Sequence, residues 1–344
     1  MGFVGIHAGR RLDQPVSQNE TLALLFESLG YRVRRTSSVK NQFFRTLHQL
    51  FAVAFLWRDV DVVVIAVFSG RAFTIADFAS LLSRRIGHKK MIMFMHGGNL
   101  PVYGPAHRRR VQRVFDRADR LLAPSEFIAK AFRPWGYDIH IIPNVLNITR
   151  YTYVERTEAR PALLWMRTFH EHYDPILAVE VLARVAELHP DVTMDMGGSD
   201  YGLLAATEQR AAELGVSDRI TFRGYLDFEA KLAAFDRNDI FLNTNVVDNM
   251  PVSVLEASAS GLVSVATAVG GIPDLLTDGV DSLLVPAGDV DAMSEAVLGL
   301  LADPARYAEL SRNARRLAER SSWSAVRPMW RDEIQAVCPT LSVP

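Results

Sequence analysis

Residues 239–274 read DIFLNTNVVDNMPVSVLEASASGLVSVATAVGGIPD and carry the main signals of the fold. An apolar strand is followed by a polar loop, by a helix that begins near Pro251, and by a second apolar strand, Val263–Thr267. Proline fits the first position of a helix, and Asp248 or Asn249 can cap it. This succession of strand, helix and strand predicts a parallel sheet covered by helices.

The same alternation runs along the whole chain. The predicted strands are Phe3–His7, Arg32–Thr36, Val60–Phe68, Lys90–Met95, Arg120–Ala123, Ile139–Ile142, Ala162–Met166, Thr193–Gly197, Ile220–Arg223, Ile240–Asn243, Val263–Thr267 and Ser282–Val285. Between most of them lie segments with helical spacing, such as Glu20–Leu29, Ile176–Leu188 and Leu203–Leu214. Two such series predict two doubly wound, Rossmann-like α/β domains. Because ligands bind beyond the carboxyl ends of parallel strands, we expect the two sheets to face a cleft.

The segment around residues 146–161 breaks both periodicities and marks the boundary between the two domains. The predicted N-terminal domain is therefore 1–150 and the C-terminal domain 151–322. The remaining segment, 323–344, is predicted to form a last helix and tail that pack back towards the N-terminal domain.

Composition narrows the class of protein. The 344 residues are 49% hydrophobic and 22% charged, which argues against a disordered chain and against a membrane-embedded bundle. A single cysteine, Cys338, excludes a disulfide framework and a cysteine-rich metal site. Residues 1–150 carry a net charge of +12 and the remainder −13. The basic half is suited to phosphates or an anionic membrane; alternatively, the two surfaces attract each other across a cleft.

Several features bear on location. No apolar run reaches the roughly 18–20 residues that a membrane span needs, and the N-terminus lacks the pattern of a signal peptide. We therefore expect a cytoplasmic protein. Residues 32–58 mix arginines with aromatic and aliphatic side chains, and Arg108–Arg110, Arg113 and Arg117 form a second basic face. These surfaces suit peripheral contact with the inner membrane face; alternatively, they are helices packed on their own sheet with solvated arginines outside.

The helix that begins near Pro251 suggests a ligand. Its exposed amides and positive dipole suit a diphosphate. Glu256 follows five residues later, about 7.5 Å along the helix axis at 1.5 Å per residue. A carboxylate there can accept hydrogen bonds from a pair of ribose hydroxyls. The alternative is a capped helix with a solvated glutamate.

A family resemblance rests on Asp248-x7-Glu256, followed by Gly261 and Gly270-Gly271-Ile-Pro-Asp274. This pattern resembles the E-x7-E signature of the retaining glycosyltransferases of family 4, with aspartate at the first position, one methylene shorter than glutamate. Further landmarks match in order, namely His96-Gly-Gly-Asn99, Pro124-Ser-Glu126, Pro143-Asn144 and Trp323. The resemblance spans roughly residues 90–337 and implies a GT-B fold.

The resemblance implies roles for particular residues. Asp248, Glu256, His96 and Arg167 are the candidate catalytic residues. Glu256 would bind the nucleotide ribose, His96 would orient the sugar, and Arg167, which follows the strand Ala162–Met166, would bind the donor diphosphate. The donor-binding set adds Gly9, His172, Tyr225, Leu226, Asn249, Met250 and Pro251.

Some of these assignments leave alternatives open. His172 stands where the family usually places a lysine, so its positive charge near pH 7 is less certain. Tyr225 and Leu226 would lie near the nucleobase, or pack the loop. Gly9 occupies the phosphate-facing loop after the first strand, but no GxGxxG pattern is present, so dinucleotide binding is unsupported. His7, Arg10 and Arg11 are weak acceptor-side candidates.

Metal chemistry and resident cofactors are not expected. The two Asp-x-Asp matches, Asp59-Val-Asp61 and Asp289-Val-Asp291, are interpreted as solvated edges or helix caps. We find no HExxH pattern and no cluster of histidines and cysteines. Stabilisation of the leaving diphosphate would then fall to fixed cations and amides. Nucleic acid is not expected as a partner, because the acidic half would repel it.

The sequence therefore predicts a metal-independent, retaining glycosyltransferase of the hexosyltransferase type. Its substrates would be a nucleotide sugar and an acceptor hydroxyl, lipid-linked or soluble, in polysaccharide, glycolipid or small-molecule glycoside biosynthesis. Front-face attack is favoured over a covalent intermediate. One alternative is a catalytically silent relative that binds a nucleotide sugar or a partner transferase. Another is a sugar-nucleotide epimerase, against which the Asp-x7-Glu spacing argues.

Overall fold

A computed structural model describes residues 1–5, 17–36, 51, 59–86 and 88–341. The chain forms two compact units, Met1–Val145 with Trp323–Pro344, and Leu146–Ser322. The division falls a few residues before the boundary at 150 that the sequence suggests. The segment after residue 322 belongs to the first unit.

The first unit contains a six-stranded parallel sheet in the order β2-β1-β3-β4-β5-β6. Its strands are β1 (Gly2–Val4), β2 (Arg34–Arg35), β3 (Val62–Val67), β4 (Lys90–Met95), β5 (Arg120–Ala123) and β6 (Ile139–Ile141). The helices are α1 (Gln18–Ser28), α2 (Arg71–Arg85), α3 (Leu100–Ala106), α4 (Arg108–Phe115) and α5 (Glu126–Phe132). The central strands β3 and β4 are almost entirely buried, as expected for apolar strands with helices on both faces.

The second unit contains another six-stranded parallel sheet, in the order β12-β11-β10-β7-β8-β9. Its strands are β7 (Ala162–Met166), β8 (Thr193–Gly197), β9 (Ile220–Gly224), β10 (Ile240–Asn243), β11 (Val263–Thr267) and β12 (Ser282–Val285). The helices are α6 (Pro175–Ala186), α7 (Leu204–Glu213), α8 (Phe228–Arg237), α9 (Val252–Ala259), α10 (Ile272–Leu275), α11 (Val290–Ala302) and α12 (Pro304–Arg320). This order has the Rossmann arrangement, and its direction reverses between β7 and β10.

The strand predictions are confirmed, several of them to the residue. The first two strands differ most, since β1 ends at Val4 and β2 comprises only Arg34–Arg35. Residues 6–16, in which the predicted first strand would continue, lie outside the described part of the chain. At β2 both side chains are exposed, because this strand stands at the edge of the sheet and pairs only with β1.

The last helix, α13 (Trp323–Val337), packs within the first unit. Val326, Trp330 and Ile334 form its buried stripe, at the spacing expected for one face of a helix. The ring of Phe26 on α1 lies edge-on to the Trp330 ring, with centroids 6.1 Å apart. On α13, Glu333 forms a salt bridge with Arg120 at 3.3 Å. The helix thus completes the core of the first unit.

Part of the basic face on α4 is used inside the protein. Arg110 and Arg117 pair with Asp77 of α2, at 3.0 and 2.9 Å. The Arg108 guanidinium lies 5.1 Å from the centre of the Trp135 ring. Arg113 is exposed. Arg110 and Arg117 are therefore neither solvated, as the alternative from the sequence had it, nor free for a membrane, because Asp77 pairs with both.

Every helix among the described residues is too short or too polar to cross a bilayer. The amphipathic stretch 32–58 falls mostly outside these residues, with Phe51 one of its few described side chains.

Candidate functional site

The candidate site lies where the strand order of the second sheet reverses. Arg167 directly follows β7, and the loop 244–251 directly follows β10, the neighbouring strand. At such a reversal, the connections after the two strands diverge to opposite faces and leave a crevice at their carboxyl ends. The fold therefore brings two segments together that are about 80 residues apart in sequence.

Arg167 is held by contacts on several sides. Its guanidinium forms an ion pair with the Asp248 carboxylate and lies 4.6 Å from the centre of the Tyr173 ring. Its Nε donates to Asn245 Oδ1 at 3.4 Å. The side chain is 18% exposed, and this burial lowers the pKa of Arg167 below the ordinary arginine value, an effect that the Glu256 carboxylate partly opposes. The site thus contains an oriented, mostly desolvated cation.

The main chain at Arg167 is also tightly packed. Gly198, just after β8, lies so close that an added Cβ would come within 1.7 Å of the Arg167 carbonyl oxygen. Hydrogen bonds also tie the chain before and after Arg167 to the loop that follows β10. Trp165 Nε1 donates to Thr244 Oγ1 (2.8 Å), which in turn donates to the Tyr173 carbonyl (2.6 Å). The Val246 amide donates to the His172 carbonyl (2.8 Å). The backbone around Arg167 is therefore held in place by contacts with β8 and with the loop after β10.

Asp248 does not cap the following helix. Besides the Arg167 pair, its carboxylate accepts hydrogen bonds from Asn245 Nδ2 and from the Asn249 amide, both at 2.7 Å. The residue before α9 is Pro251, and no side chain caps the helix there. The prediction that Asp248 or Asn249 caps this helix is wrong, because the carboxylate of Asp248 is directed to its own loop and to Arg167.

The cap position of α9 is Pro251, whose side chain offers no acceptor to the first amides of the helix. Ser253, in the first turn, is buried, and its hydroxyl has no hydrogen-bond partner among the described residues. Asn249, Met250 and Pro251 are buried as well. Amides, a hydroxyl and the positive end of the helix dipole together suit an anionic ligand.

Glu256 is the fifth residue of α9 and is nearly buried, with its side chain 10% exposed. Lys231 Nζ on α8 donates to Oε1 at 3.1 Å and to Oε2 at 3.0 Å. The Tyr151 hydroxyl donates to Oε1 at 2.9 Å. Burial, together with the neighbouring carboxylate, raises the pKa of Tyr151 well above its ordinary value, so this hydroxyl remains a donor. The alternative of a solvated glutamate is wrong for Glu256.

Sequence reasoning missed Lys231, Tyr151 and Tyr173. Tyr151 lies in the segment interpreted as a domain boundary, and Lys231 lies within an ordinary amphipathic helix. Their roles depend on contacts across 105 and 25 residues, for which no local pattern exists. The strand that precedes Arg167 did indicate that the following turn, with Tyr173, would lie at the same edge of the sheet.

The glycine pair of the motif has a structural explanation at Gly270. Its φ is +56°, and an added Cβ would come within 1.9 Å of the Asp248 carbonyl oxygen. The Gly271 amide donates to the same carbonyl at 3.1 Å. The turn before α10 therefore packs directly on the backbone of Asp248, where no other residue fits.

Substitution of Gly270 by alanine is expected to lower the free energy of unfolding by about 3 kcal/mol, because it adds a backbone clash to an unfavourable φ. Gly288→Ala is the matched control, since its φ is +73° but no atom lies within 4 Å of an added Cβ. The control should cost only about 1 kcal/mol. Urea unfolding of both variants measures the difference, and equal losses would contradict the close packing on Asp248.

His172 is exposed, and its amide donates to Nδ1 of His170 at 3.1 Å. His170, Glu171 and His172 place potential metal-ligand atoms within 4.8 Å of one another. The expectation of no clustered histidines is therefore wrong. In a neutral ring, however, an accepting Nδ1 leaves the proton on Nε2. A metal ion bound to His170 would have to break the hydrogen bond from His172.

The two Asp-x-Asp matches have other roles. The Asp289 carboxylate caps α11 by accepting from the Ala292 amide at 2.9 Å, which confirms the interpretation as a helix cap. Asp59 forms a surface salt bridge with Arg34 at 3.0 Å.

The remaining predicted residues of the second unit are divided between core and surface. Leu226 is buried in the apolar core and packs against Gly197, where an added Cβ would meet its side chain at 2.4 Å. Tyr225 is half-buried. For Leu226 the observed contacts are those of the packing alternative.

In the first unit, His96 follows β4 and lies between two rings. The His96 ring centroid is 4.1 Å from that of Phe94 and 5.7 Å from that of Phe68. Its Nε2 is buried and has no hydrogen-bond partner among the described residues. Burial lowers the pKa of His96 to about 4, so the imidazole is neutral at pH 7. His7, Gly9, Arg10 and Arg11 lie outside the described residues.

The low pKa of His96 predicts a specific pH effect on stability. The unfolded chain takes up this proton near pH 6.5, whereas the folded protein takes it up only near pH 4. The stabilising contribution of the neutral His96 ring is therefore full above about pH 6.5 and is lost as the pH falls towards 4. In His96→Met this loss should be absent. Urea midpoints between pH 4 and 7.5 measure it, and parallel curves for both proteins would contradict a neutral ring with a buried Nε2.

Two family profiles match the sequence of this chain. The sequence profile described as "Glycosyl transferases group 1" matches residues 160–303, and the profile "Glycosyltransferase Family 4" matches residues 11–150. The chain is 32% identical over 238 residues to the D-inositol 3-phosphate glycosyltransferase of Mycolicibacterium vanbaalenii, covering 62% of the chain and 52% of that protein. Its counterpart from Mycolicibacterium gilvum is 30% identical over 211 residues, covering 57% and 48%. The chain thus spans about half the length of the curated relatives it matches.

Solved structures are similar over nearly the whole chain. Anabaena HepE, solved in complex with UDP-glucose, gives a TM-score of 0.77 at 16% identity and covers 97% of this chain and 98% of HepE. Sucrose-phosphate synthase from Thermosynechococcus elongatus gives 0.76 at 17% identity and covers 97% and 99%. These similarities, with the two parallel six-stranded sheets, confirm the GT-B fold. The two family profiles match separate parts of the chain, 160–303 and 11–150, and together they support a glycosyltransferase of the family 4 type.

Proposed function

We propose that the protein is a retaining glycosyltransferase that moves a sugar from a nucleoside diphosphate sugar to an acceptor hydroxyl. One observation carries the proposal: Arg167, the uncapped start of α9 and the buried Glu256 lie together at the strand-order reversal of one unit. A cation and free amides suit the diphosphate, and a carboxylate further along the same helix suits the ribose diol.

The reaction requires that the bond from the anomeric carbon to the diphosphate breaks while a bond to the acceptor oxygen forms on the same face. The acceptor proton passes to the leaving diphosphate oxygen. Arg167 and the amides of α9 stabilise the charge that develops on this oxygen. In the free site the Asp248 carboxylate neutralises Arg167, so the donor diphosphate has to compete with Asp248 for this cation. Once the donor is bound, Asp248 accepts hydrogen bonds from the sugar hydroxyls instead.

The relatives suggest where to look for an acceptor. They are named for D-inositol 3-phosphate, a phosphorylated polyol. The net charge of +12 on residues 1–150 suits an anionic acceptor of this kind or a lipid-linked one. We place acceptor recognition in the first unit on this ground.

A thermal-shift screen tests the donor site. The protein is heated in EDTA with UDP, GDP, ADP, CDP, dTDP or NAD. We expect one nucleoside diphosphate to raise the midpoint, since a ligand at about a hundred times its Kd stabilises by ~2.7 kcal/mol. No response to any of the six would contradict the donor site.

Turnover is then tested with the matching nucleotide sugars and with D-inositol 3-phosphate, free inositol and lipid-linked polyols as acceptors. NMR of the product determines whether the anomeric configuration is retained. An inverted product would contradict the retaining mechanism, and activity that EDTA abolishes would contradict reliance on fixed cations.

A second candidate is a catalytically silent protein that binds a nucleotide sugar or a partner transferase. It is motivated by the Arg167–Asp248 ion pair, which leaves no net charge on this pair for a diphosphate, and by the exposed His172 in the usual lysine position. Nucleotide binding without turnover for any donor and acceptor pair would favour it.

A further inference from the structure

The donor site contains an ion pair that none of the predicted roles uses. Lys231 contacts both oxygens of Glu256, and its side chain is only 20% exposed. A lysine seldom becomes this buried unless it is paired. One member of the pair, Glu256, is the residue to which we assign ribose binding. The geometry of the pair therefore bears on how the ribose is bound.

Tyr151 donates a hydrogen bond to the same carboxylate and is itself held in place by aromatic contacts. Its ring lies edge-on to Phe228, with centroids 5.5 Å apart, and tilted towards Phe235 at 6.4 Å. The guanidinium of Arg150 packs on the Phe228 ring, 3.6 Å from the ring centre. Two separate segments of the second unit, the loop with Tyr151 and the helix α8 with Lys231, therefore converge on one glutamate.

The hydrogen bonds differ between the two oxygens of Glu256. Among the described residues, Oε1 accepts from both Tyr151 and Lys231, whereas Oε2 accepts from Lys231 alone. A carboxylate oxygen has two acceptor directions, so Oε2 can accept one further donor. A hydroxyl bound there at an ordinary distance of about 2.8 Å would lie within about 6 Å of the Lys231 ammonium.

We propose that Lys231 and Tyr151 are positioning residues for donor recognition: they hold the Glu256 carboxylate in one orientation, so that Oε2 accepts a hydrogen bond from a ribose hydroxyl. Both act through Glu256. The inference rests on the proposed function, since it assumes that a nucleoside diphosphate is the ligand.

The physical reason is the orientation of a nearly buried carboxylate. Without Lys231, Oε2 loses its donor, and of the two described partners only the Tyr151 hydroxyl, which donates to Oε1, still fixes the carboxylate. A carboxylate that is free to rotate forms a weaker hydrogen bond with a ribose hydroxyl, because the bond depends on a fixed acceptor direction. Loss of Lys231 should therefore remove ribose discrimination rather than diphosphate affinity.

The test compares the affinities of UDP and 2′-deoxy-UDP by calorimetry, or the same pair for whichever base the thermal screen selects. In the wild-type protein, one hydrogen bond to a charged group should make the ribonucleotide roughly tenfold tighter or more. In Lys231→Met the ratio should fall below about threefold. Lys231→Arg should restore most of it, and Tyr151→Phe should reduce it a few-fold. The exposed Lys130→Met is the control and should keep the wild-type ratio.

The ratio is measured within each variant, so a general loss of folded protein cancels. A Lys231→Met ratio equal to that of the wild-type protein would overturn the inference while leaving the proposed function intact. Equal weakening of both nucleotides would overturn it as well, because Lys231 would then contact the diphosphate. If the wild-type protein binds no nucleoside diphosphate, the proposed function fails and the inference fails with it.

Discussion

Replacing Glu256 with glutamine is expected to weaken binding of the nucleoside diphosphate about a hundredfold, or by ~2.7 kcal/mol, and to reduce turnover at least as much. A neutral amide accepts hydrogen bonds through a single oxygen and without the gain from charge. The same change leaves the mostly buried Lys231 ammonium without its counter-ion, so the free energy of unfolding should also fall.

Calorimetry with the nucleoside diphosphate and assays with the matching nucleotide sugar measure this effect. Glu208→Gln, an exposed glutamate on α7, is the matched control and should behave as the wild-type protein. Near-normal affinity in Glu256→Gln would refute its assignment to the ribose.

Replacing Arg167 alone with methionine is expected to weaken nucleoside diphosphate binding on the order of a hundredfold, because two charge-assisted hydrogen bonds to phosphate are lost. Affinity for the nucleoside alone should barely change, since it has no phosphate. This separates Arg167 from Glu256, whose substitution should weaken both ligands.

The same variant leaves Asp248, whose side chain is 17% exposed, without its cation. We expect a loss of about 3 kcal/mol in the free energy of unfolding. The double variant Arg167→Met/Asp248→Asn should recover most of this stability without recovering affinity. Arg184→Met, an exposed arginine of the second unit, is the control. Affinity that returns with stability would show that Arg167 acts only through folding.

The fold was predictable because it depends on local patterns. Runs such as Val62–Val67 are apolar on both faces, and a strand inside a helix-covered parallel sheet buries such a run. The edge strand β2 was the least well predicted in extent, because an edge position imposes weaker patterning on Arg34–Arg35. The resemblance to family 4 also followed from the sequence, since it rests on the spacing of Asp248, Glu256 and Gly270, and the two family profiles support it.

The site was predictable only in part. Sequence reasoning selected Arg167, Asp248 and Glu256 as neighbours of one ligand, and the fold places Arg167 and Asp248 in contact. It assigned Asp248 a cap that the helix does not have, because capping is inferred from residue type and position alone. The orientation of the carboxylate depends on Asn245 and Arg167, which compete for it.

The sequence by itself determined the two parallel sheets, the family and the residues that follow the ends of β7 and β10, because hydrophobic periodicity and motif spacing are local properties of the chain. Only the tertiary structure decided the partners of these residues. Tyr151 and Lys231 reach Glu256 across 105 and 25 residues, and Gly270 must be glycine because the Asp248 backbone lies against it. Such contacts arise from the packing of distant segments, whose distances and free hydrogen-bonding directions leave no periodic trace in the sequence.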